Sequence, residues 1–314
     1  MDNLEQALKV RNQIAAFLNV DGVRRRAPGA PRVAIGVTPG FKIAIRAPSK
    51  KELDRALGEG AAKEVSEMAD YELDIQITGE LFAEPPQETT TGSATLAIGA
   101  SVGHYGTTAG TLGFFAQRLS DSAIGFVSNN HVIANCDGGK SGDAVLHPAP
   151  LDHGDPSKDA VAELVSGYPR LQKNGTIVDA AFAVLREGVD YDPSSIGPSM
   201  RLQPLLAPLY QQRRVAKLGR SSGLTYGRIT ALALLNLDVD YPLLNTSITF
   251  DRQIEIKAES DGVPFSKPGD SGSLVVNPEG QPIGLLFASN RDGSYSYANP
   301  IADVLRELDI RMLP

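Results

Sequence analysis

Residues 267–276 read KPGDSGSLVV, in which glycines flank an Asp-Ser pair and an apolar strand follows. A nucleophilic serine needs a tight turn of this kind, because the turn exposes the hydroxyl and lets backbone N–H groups converge on a developing oxyanion. Gly269 permits the backbone to approach closely. We therefore expect Ser271 to be a nucleophile and the N–H groups of Gly269 and Ser271 to form an oxyanion hole.

A histidine and an aspartate upstream offer the base and the carboxylate that a serine nucleophile requires. Residues 125–134 read GFVSNNHVIA, so an apolar strand ends in small polar residues just before His131. Residues 174–185 read NGTIVDAAFAVL, which sets Asp179 directly before another apolar strand. A carboxylate there could hold the imidazole tautomer and stabilise an imidazolium. The order His131, Asp179, Ser271 is more specific than any one of the three.

Two alternatives compete for parts of this site. Asp159 could replace Asp179 as the partner of the histidine, although it follows His131 closely in sequence. A metal site could form from a second group of residues, namely His147, Asp152, His153 and Asp155. That group lacks the helical i, i+4 spacing and the paired cysteines typical of metal sites. We favour loop histidines, and we expect neither a metal nor another cofactor.

Composition limits the class of protein. The chain has 314 residues, a net charge of −7 and one cysteine, which excludes an intrachain disulfide. The length suggests about two domains, and the acidic balance argues against a nucleic-acid or anionic-membrane partner. No apolar run approaches the length of about 18 residues of a transmembrane helix, and the first residues lack the features of a secretory signal. We expect a cytoplasmic protein.

The first 88 residues predict a helix and a small α+β unit. The hydrophobic spacing and turn signals predict these elements in order: a helix over 4–20, a solvated basic loop at 21–29, strands at 33–37 and 42–46, a helix over 50–59 and a strand at 71–78. Ser49 and Glu52 have the spacing of a capping box for the second helix. Because the β-β-α-β unit contains no Cys, His or phosphate loop, we interpret it as a docking or regulatory appendage.

Residues 84–96 carry two prolines and a threonine run, which is typical of a linker. We expect an appendage at 1–88, a linker at 89–96 and a second domain at 97–314. In that domain short apolar runs alternate with turn residues, which predicts an all-β barrel or sandwich. The predicted strands include 112–115, 124–128, 180–185, 215–218, 248–250, 273–276 and 282–288. Pro300 predicts a closing helix over 301–308.

Three segments resemble the signatures of trypsin/chymotrypsin-like serine proteases: SNNHV at 128–132, VDAAFAVL at 178–185 and PGDSGSLVV at 268–276. Their order and spacing match that family, whose domain fits 95–314. Three further phrases resemble an intracellular branch that includes the plant narrow-leaf protein and its bacterial relatives: AGTLG at 109–113, KLGRSSGLT at 217–225 and GDSGSL at 269–274.

The resemblance implies a mainly β fold, with a double β-barrel trypsin-like protease domain and a small N-terminal α+β domain. It implies a site between the barrels, where His131 is the base, Asp179 orients it and Ser271 is the nucleophile. The implied activity is hydrolysis of protein or peptide substrates through an acyl-enzyme intermediate. A catalytically weak scaffold and an esterase on the same three residues remain alternative functions.

The resemblance also implies where substrate side chains bind. The floor of the specificity pocket falls near Phe265, and its wall is formed by Phe287, Ala288 and Ser289. No carboxylate aligns at the floor, so we expect a preference for small or medium apolar side chains before the scissile bond. Asp261 could reach inward in a shifted loop and would oppose this preference.

Activation is the point at which the sequence departs from the secreted members. In those enzymes a newly cut N-terminus pairs with the aspartate before the nucleophile, here Asp270, and no matching start is present. Either an internal Lys or Arg pairs with Asp270, or the oxyanion turn is unformed until something orders it. We expect regulation by homo-oligomer assembly or by a protein partner bound through 1–88. Cys136 is interpreted as a small buried thiol rather than a reactive one.

Overall fold

The structure is a computed structural model that describes residues 3–20, 30–70, 72–83, 95–106, 109–260 and 262–313. Within these ranges it contains five α-helices and 24 strands. The N-terminal elements are α1 (Leu4–Phe17), β1 (Ala34–Val37), β2 (Ile43–Ala47), α2 (Lys50–Ala56), α3 (Glu59–Met68), β3 (Leu73–Ile77) and β4 (Leu81–Phe82).

The remaining elements are mostly short strands. The first group is β5 (Leu96–Ala97), β6 (Ser101–His104), β7 (Gly110–Thr111), β8 (Phe114–Arg118), β9 (Ile124–Ser128), α4 (Asn130–Ile133), β10 (Ala144–Leu146), β11 (Ala160–Leu164), β12 (Ala181–Leu185), β13 (Tyr191–Asp192), β14 (Ser195–Ile196) and β15 (Met200–Arg201). The second group is β16 (Arg214–Gly219), β17 (Gly223–Leu235), β18 (Leu237–Tyr241), β19 (Thr246–Phe250), β20 (Gln253–Ala258), β21 (Leu274–Val276), β22 (Pro282–Asn290), β23 (Tyr295–Pro300), α5 (Ile301–Glu307) and β24 (Ile310–Met312).

Six strands of the second group close into an antiparallel barrel. Their hydrogen-bonded order is β16-β17-β20-β23-β22-β21, and β21 pairs again with β16. Apolar side chains that alternate along these strands, such as Ile254 and Ile256, fill the interior and are fully buried. Closure removes free edges from this part of the sheet. The turn after β20 that leads to Ser271 is therefore held at both ends by barrel strands.

The first group forms an open half-barrel. Its eight-stranded sheet has the order β24-β8-β9-β12-β11-β10-β6-β7. Strand β24, close to the end of the chain, returns to pair with β8, with Ile310 opposite Arg118. The core of this unit contains several phenylalanines, among them Phe114, Phe115 and Phe126, and all three are fully buried. The mainly β fold predicted from the sequence is confirmed.

The N-terminal unit continues the sheet of the closed barrel. Strand β1 pairs antiparallel with β17, with Ile35 opposite Leu235, and β2 pairs with β1. Strand β3 lies parallel to β2 at the outer edge. The division at 1–88, 89–96 and 97–314 stays a prediction, and the pairing of β1 with β17 attaches the described part of the appendage directly to the barrel.

Local signals explain how the helices begin. The Asn3 side chain accepts a hydrogen bond from the Gln6 N–H at 2.9 Å, and Ser49 Oγ accepts one from the Glu52 N–H at 3.3 Å. The Glu52 carboxylate accepts from the Arg32 N–H at 2.8 Å, so it ties the helix to the segment before β1. The predicted helix over 50–59 is α2, which ends at Ala56, and a further helix that the sequence did not predict, α3, begins after Gly58. The order of the unit is thus β-β-α-α-β.

Most predicted strands of the barrels are present within one or two residues of their expected bounds, and β9 matches exactly its predicted range of 124–128. The closing helix is α5. The predicted basic loop at 21–29, most of the predicted linker and Asp261 lie outside the described residues. Among the helices that are described, none is long and apolar enough to cross a lipid bilayer.

Candidate active site

His131 and Asp179 meet because the strands beside them are paired. His131 lies in α4, directly after β9, and Asp179 lies just before β12; in the sheet Ala181 is opposite Ser128. His131 Nδ1 lies 2.5 Å from Asp179 Oδ2, and the His131 backbone N–H donates to Asp179 Oδ1 at 3.2 Å. The carboxylate therefore fixes both the ring and the backbone of the histidine.

Asp179 is fully buried, and residues from three separate segments make further contacts to it. Tyr241 Oη donates to Asp179 Oδ2 at 2.6 Å, and Asn299 Oδ1 accepts from the Asp179 N–H at 3.0 Å. Asn129 Nδ2 donates to the Asp179 carbonyl at 2.6 Å. Asp179 is thus held through its carboxylate, its N–H and its carbonyl, which fixes its position beside the imidazole.

Sequence reasoning missed Tyr241 and Asn299. Tyr241 is the last residue of β18, in the same sheet as the closed barrel, and Asn299 lies in β23 of that barrel; no motif surrounds either residue. Burial raises the pKa of Tyr241 well above its usual value, and the Asp179 charge raises it further. Its phenol therefore stays protonated and can donate. The Tyr241 ring also meets the His131 ring edge to face, with centroids 5.9 Å apart.

Ser271 lies at the top of a turn whose glycines adopt left-handed backbone conformations. Gly269 has φ +98° and Gly272 has φ +92°. The turn is fixed by bonds from the Gly272 N–H to the Leu286 carbonyl at 2.9 Å and from Ser273 Oγ to the Asp270 carbonyl at 2.6 Å. In the described part of the chain, the N–H groups of Gly269 and Ser271 donate to no protein acceptor. Both predicted oxyanion donors are therefore available.

The histidine turn and the serine turn approach each other across Gly110 of β7. A Cβ at Gly110 would lie 2.5 Å from Val132, the residue after His131, and 2.8 Å from the Ser271 carbonyl oxygen. Glycine is needed there because a side chain would force the segments apart. His131 Nε2 is buried and has no hydrogen-bond partner among the described residues, so its bond to Ser271 is not made in this state.

Asp270 has an internal partner. Lys217 Nζ donates to Asp270 Oδ2 at 2.9 Å, and both side chains are fully buried. The Ser221 and Ser222 N–H groups donate to Asp270 Oδ1 at 2.9 and 3.1 Å. Burial by itself raises the pKa of the Asp270 carboxyl, but the Lys217 charge and the hydrogen bonds hold this pKa below its usual range. Of the two possibilities left by the sequence, the structure contains the internal pairing.

The segment 217–223 also connects the two barrels. Arg220 Nε donates to Asp152 Oδ2 at 2.6 Å, and Arg220 Nη2 donates to Asp152 Oδ1. Ser101 Oγ, from the half-barrel, donates to Asp152 Oδ2 at 2.5 Å. A Cβ at Gly269 would lie 2.2 Å from Arg220 Nη1, so the arginine packs directly under the oxyanion turn.

Two alternatives from the sequence, a metal site that includes Asp152 and Asp159 as the partner of His131, can be compared with these contacts. Asp152 is engaged by Arg220, and within the described residues no group of three or more His, Cys, Asp and Glu could hold a metal ion. Asp159 Oδ2 accepts from the Asp155 N–H at 2.7 Å and stabilises its own loop. The partner of His131 is Asp179.

A small pocket opens beside Ser271. Its lining contains two of the four predicted pocket residues, Ala288 and Ser289, together with Phe82, Ser266, Lys267, Pro268, Ser271 and Leu286. Phe265 and Phe287 are fully buried and do not line it. Phe265 packs in the barrel core near Lys217, and Phe287 packs against Phe250 with ring centroids 4.6 Å apart. Apolar burial holds both rings away from the pocket.

Cys136 is buried, with 6% of its surface exposed. Burial is the main reason that the pKa of its thiol is raised to about 12, and the nearby Asp179 and Asp137 charges add to this. A thiol with such a pKa forms almost no thiolate at neutral pH. The interpretation as an inert buried thiol agrees with this environment.

The closed six-stranded barrel, the half-barrel and the cleft between them define the chymotrypsin-like double-barrel fold. No protein-family model matches the chain. Among curated proteins, Protein NARROW LEAF 1 of Oryza sativa subsp. japonica is 28% identical over 206 residues, which cover 57% of this chain and 34% of that protein. The chain thus spans about a third of the length of the curated relative it matches.

Solved structures of serine proteases are also similar. Cellulomonas bogoriensis chymotrypsin has 20% identity and a TM-score of 0.46, covering 70% of this chain and 98% of its own. Nocardiopsis protease has 19% identity and a TM-score of 0.48, covering 70% of this chain and 100% of its own. Thermobifida fusca Protease A has 15% identity and a TM-score of 0.47, covering 70% and 98%. The resemblance predicted from the sequence is confirmed.

Proposed function

We propose that the chain is a serine endopeptidase that hydrolyses peptide bonds through an acyl-enzyme intermediate. The observation that carries the proposal is the buried pair of His131 and Asp179, joined at 2.5 Å, together with the meeting of Val132, next to His131, and the Ser271 carbonyl at Gly110. Two independent barrels must pack together to bring these three side chains to one cleft. A barrel protein that only bound peptides would not need a buried carboxylate behind a histidine.

The proposed mechanism assigns one role to each group. His131 Nε2 removes the proton from Ser271 Oγ, which attacks the scissile carbonyl, and Asp179 holds the tautomer and stabilises the imidazolium. The Gly269 and Ser271 N–H groups donate to the oxyanion. His131 then protonates the leaving amine, and water repeats the sequence to release the acid. The bond between His131 and Ser271 would form on substrate binding, as often happens in unliganded sites.

The substrate preference and regulation are finer parts of the proposal. Pocket residues Ala288 and Leu286 are apolar, which supports a small or medium apolar side chain before the scissile bond. Since Lys217 already pairs with Asp270, cleavage of the chain is not needed to supply a cation there. Control by homo-oligomer assembly or by a protein partner through 1–88, and a cytoplasmic location, remain parts of the proposal that rest on the sequence.

The test is active-site labelling of the purified full chain with a fluorophosphonate. We expect wild-type protein to be labelled and Ser271→Ala to lose labelling while it retains its circular dichroism spectrum. Ser120→Ala, at an exposed serine of the half-barrel, is the matched control and should label as wild type. A wild-type chain that folds and does not label, or a Ser271→Ala variant that labels, would contradict the proposal.

Peptide binding without hydrolysis is the second candidate function. One observation favours it, namely that His131 Nε2 has no hydrogen-bond partner among the described residues. In that case the wild-type protein would bind a peptide in an isothermal titration and would neither label nor release product. The labelling experiment therefore separates the two functions.

A further inference from the structure

Strand β4 lies on the same edge of β22 as the turn that carries Ser271. Strand β23 covers the opposite edge of β22. On the first edge, the Gly272 N–H next to Ser271 donates to the Leu286 carbonyl at 2.9 Å. Further along this edge, Phe82 of β4 is the antiparallel partner of Ser289. The nucleophile turn and the chain's own N-terminal segment therefore share one strand edge.

Among the described residues, only a short part of that edge has no strand paired with it. Between the two contacts lie only Phe287 and Ala288. Leu81 is opposite Asn290, and Phe82 is opposite Ser289, which lies closer along β22 to the Ser271 turn. Strand β4 therefore runs toward Ser271. This is the direction that an extended peptide must take if it pairs antiparallel with β22 and presents a carbonyl to the serine.

Strand β4 is firmly held. It lies between β22 and β18 in the sheet, and the Ala83 N–H donates to the Asp240 carbonyl of β18 at 3.0 Å. Leu81 and Ala83 are 5% and 6% exposed. The Asn290 side chain also donates to the Thr78 carbonyl at 2.9 Å, just before the strand. Removing a buried strand with neighbours on both sides would cost free energy, because its backbone groups would lose their partners and its apolar side chains would be exposed. We therefore expect β4 to keep its position when a peptide binds.

Strand β4 borders the space that a substrate would occupy. Phe82 lines the pocket beside Ser271 together with Ala288 and Ser289. A peptide adds to a sheet edge through its main-chain groups, and each of its residues advances about 3.3 Å along the edge. Residues of a substrate far enough upstream of the scissile bond to reach Ser289 would coincide with Phe82.

We propose that β4 limits the substrates of this protein to peptides that place about two residues on the β22 edge upstream of the scissile bond, one for each uncovered residue. The substrate class is peptides recognised mainly through the two residues before the scissile bond, because residues further upstream cannot pair with β22. The inference rests on the proposed hydrolysis. It makes Phe82 a specificity-determining residue, because its ring and backbone occupy the next position.

A length series on the wild-type full chain tests this directly. Peptides with the same residue before the scissile bond and the same leaving group would carry one, two, three or four upstream residues. We expect kcat/KM to rise up to two residues and to change less than about threefold on adding the third and fourth. A larger gain from the third or fourth residue would overturn the inference, because β4 would then yield to the substrate.

Variants sharpen the result. Phe82→Ala removes the ring from the next position, so the ratio of kcat/KM for the four-residue peptide to that for the two-residue peptide should rise by about tenfold. Tyr226→Ala, at an exposed tyrosine of the same barrel, should leave that ratio unchanged. If Phe82→Ala does not fold, the wild-type series alone decides. If the wild-type chain is not labelled by the fluorophosphonate, the proposed function itself is refuted. If the wild-type chain is labelled but cuts long peptides better than two-residue ones, only the role of β4 is refuted.

Discussion

The pairing of Lys217 with Asp270 explains how the turn around Ser271 is ordered without a newly cut N-terminus. The ammonium reaches the carboxylate from β16, a strand of the closed barrel, and both groups are fully buried. Burial lowers the pKa of Lys217, and the Asp270 charge opposes that shift. Two buried charges are tolerated because each satisfies the other and further hydrogen bonds complete the site.

We expect Lys217→Met to destabilise the protein by about 3–5 kcal/mol, since it leaves Asp270 buried without a counter-charge. The kcat should fall at least about tenfold, because the oxyanion turn loses its anchor. Urea unfolding and peptide kinetics would measure both effects. Lys173→Met, at an exposed lysine, should change stability by less than about 0.5 kcal/mol. Equal stability of the two variants would contradict the role given to the pair.

Tyr241 is the second residue whose role is local. Its hydroxyl donates to the same Asp179 oxygen that lies beside His131 Nδ1. Tyr241→Phe should lower the free energy of unfolding by about 1.5–3 kcal/mol, the range for a hydrogen bond to a charged group. Because the hydroxyl touches Asp179 and not the pocket, kcat should fall while KM stays unchanged. Tyr226→Phe is the exposed control, and a raised KM with normal kcat in Tyr241→Phe would argue against a positioning role.

At the scale of elements, the strongest local signals predicted the structure best. The β9 segment is apolar and bounded by turn residues, and its range was predicted exactly. The second helix begins where Ser49 offers an N-cap. The third helix was missed because glycines at 58 and 60 suggested that the helical segment ended there, and no capping side chain marks the start of α3.

Removal of the Ser49 cap tests the element directly. Ser49→Ala leaves the Glu52 N–H without its acceptor, and we expect a loss of about 0.5–2 kcal/mol in the free energy of unfolding. Lys51→Ala, at an exposed position of the same helix, should be neutral or slightly stabilising, because alanine favours helices. Urea denaturation of both variants would measure these changes in the free energy of unfolding. If Ser49→Ala were as stable as Lys51→Ala, the Ser49 cap would not contribute to the stability of this fold.

At the scale of the whole molecule, the cleft depends on contacts between barrels. Arg220 of the closed barrel reaches Asp152 of the half-barrel, and Asn299 reaches the backbone of Asp179. Strand β24 returns to β8, which ties the end of the described chain to the half-barrel. The three proposed catalytic groups come from separate positions along the chain, so their geometry depends on how the barrels dock.

The ion pairs also predict how stability depends on pH. The folded pKa of Asp270 lies below its ordinary value, so its contribution is fully present above about pH 4 and is lost as pH falls through the folded pKa. We expect the free energy of unfolding to decline in acid. In the double variant Lys217→Met with Asp270→Asn the decline should be shallower. Calorimetry across the acid range would measure this, and an identical slope in both proteins would contradict it.

The sequence by itself predicted the kind of fold, most of the strands beside the site and the candidate catalytic residues His131, Asp179 and Ser271, because these predictions depend on local pattern and motif. It also limited the partners of Asp270 to an internal Lys or Arg or to an unformed turn. Tertiary structure decided which cation it is, placed Tyr241 and Asn299 on Asp179, moved Phe265 and Phe287 into the core and set β4 beside Ser271. These contacts join residues far apart in the chain, and no local propensity records which distant strands will pair.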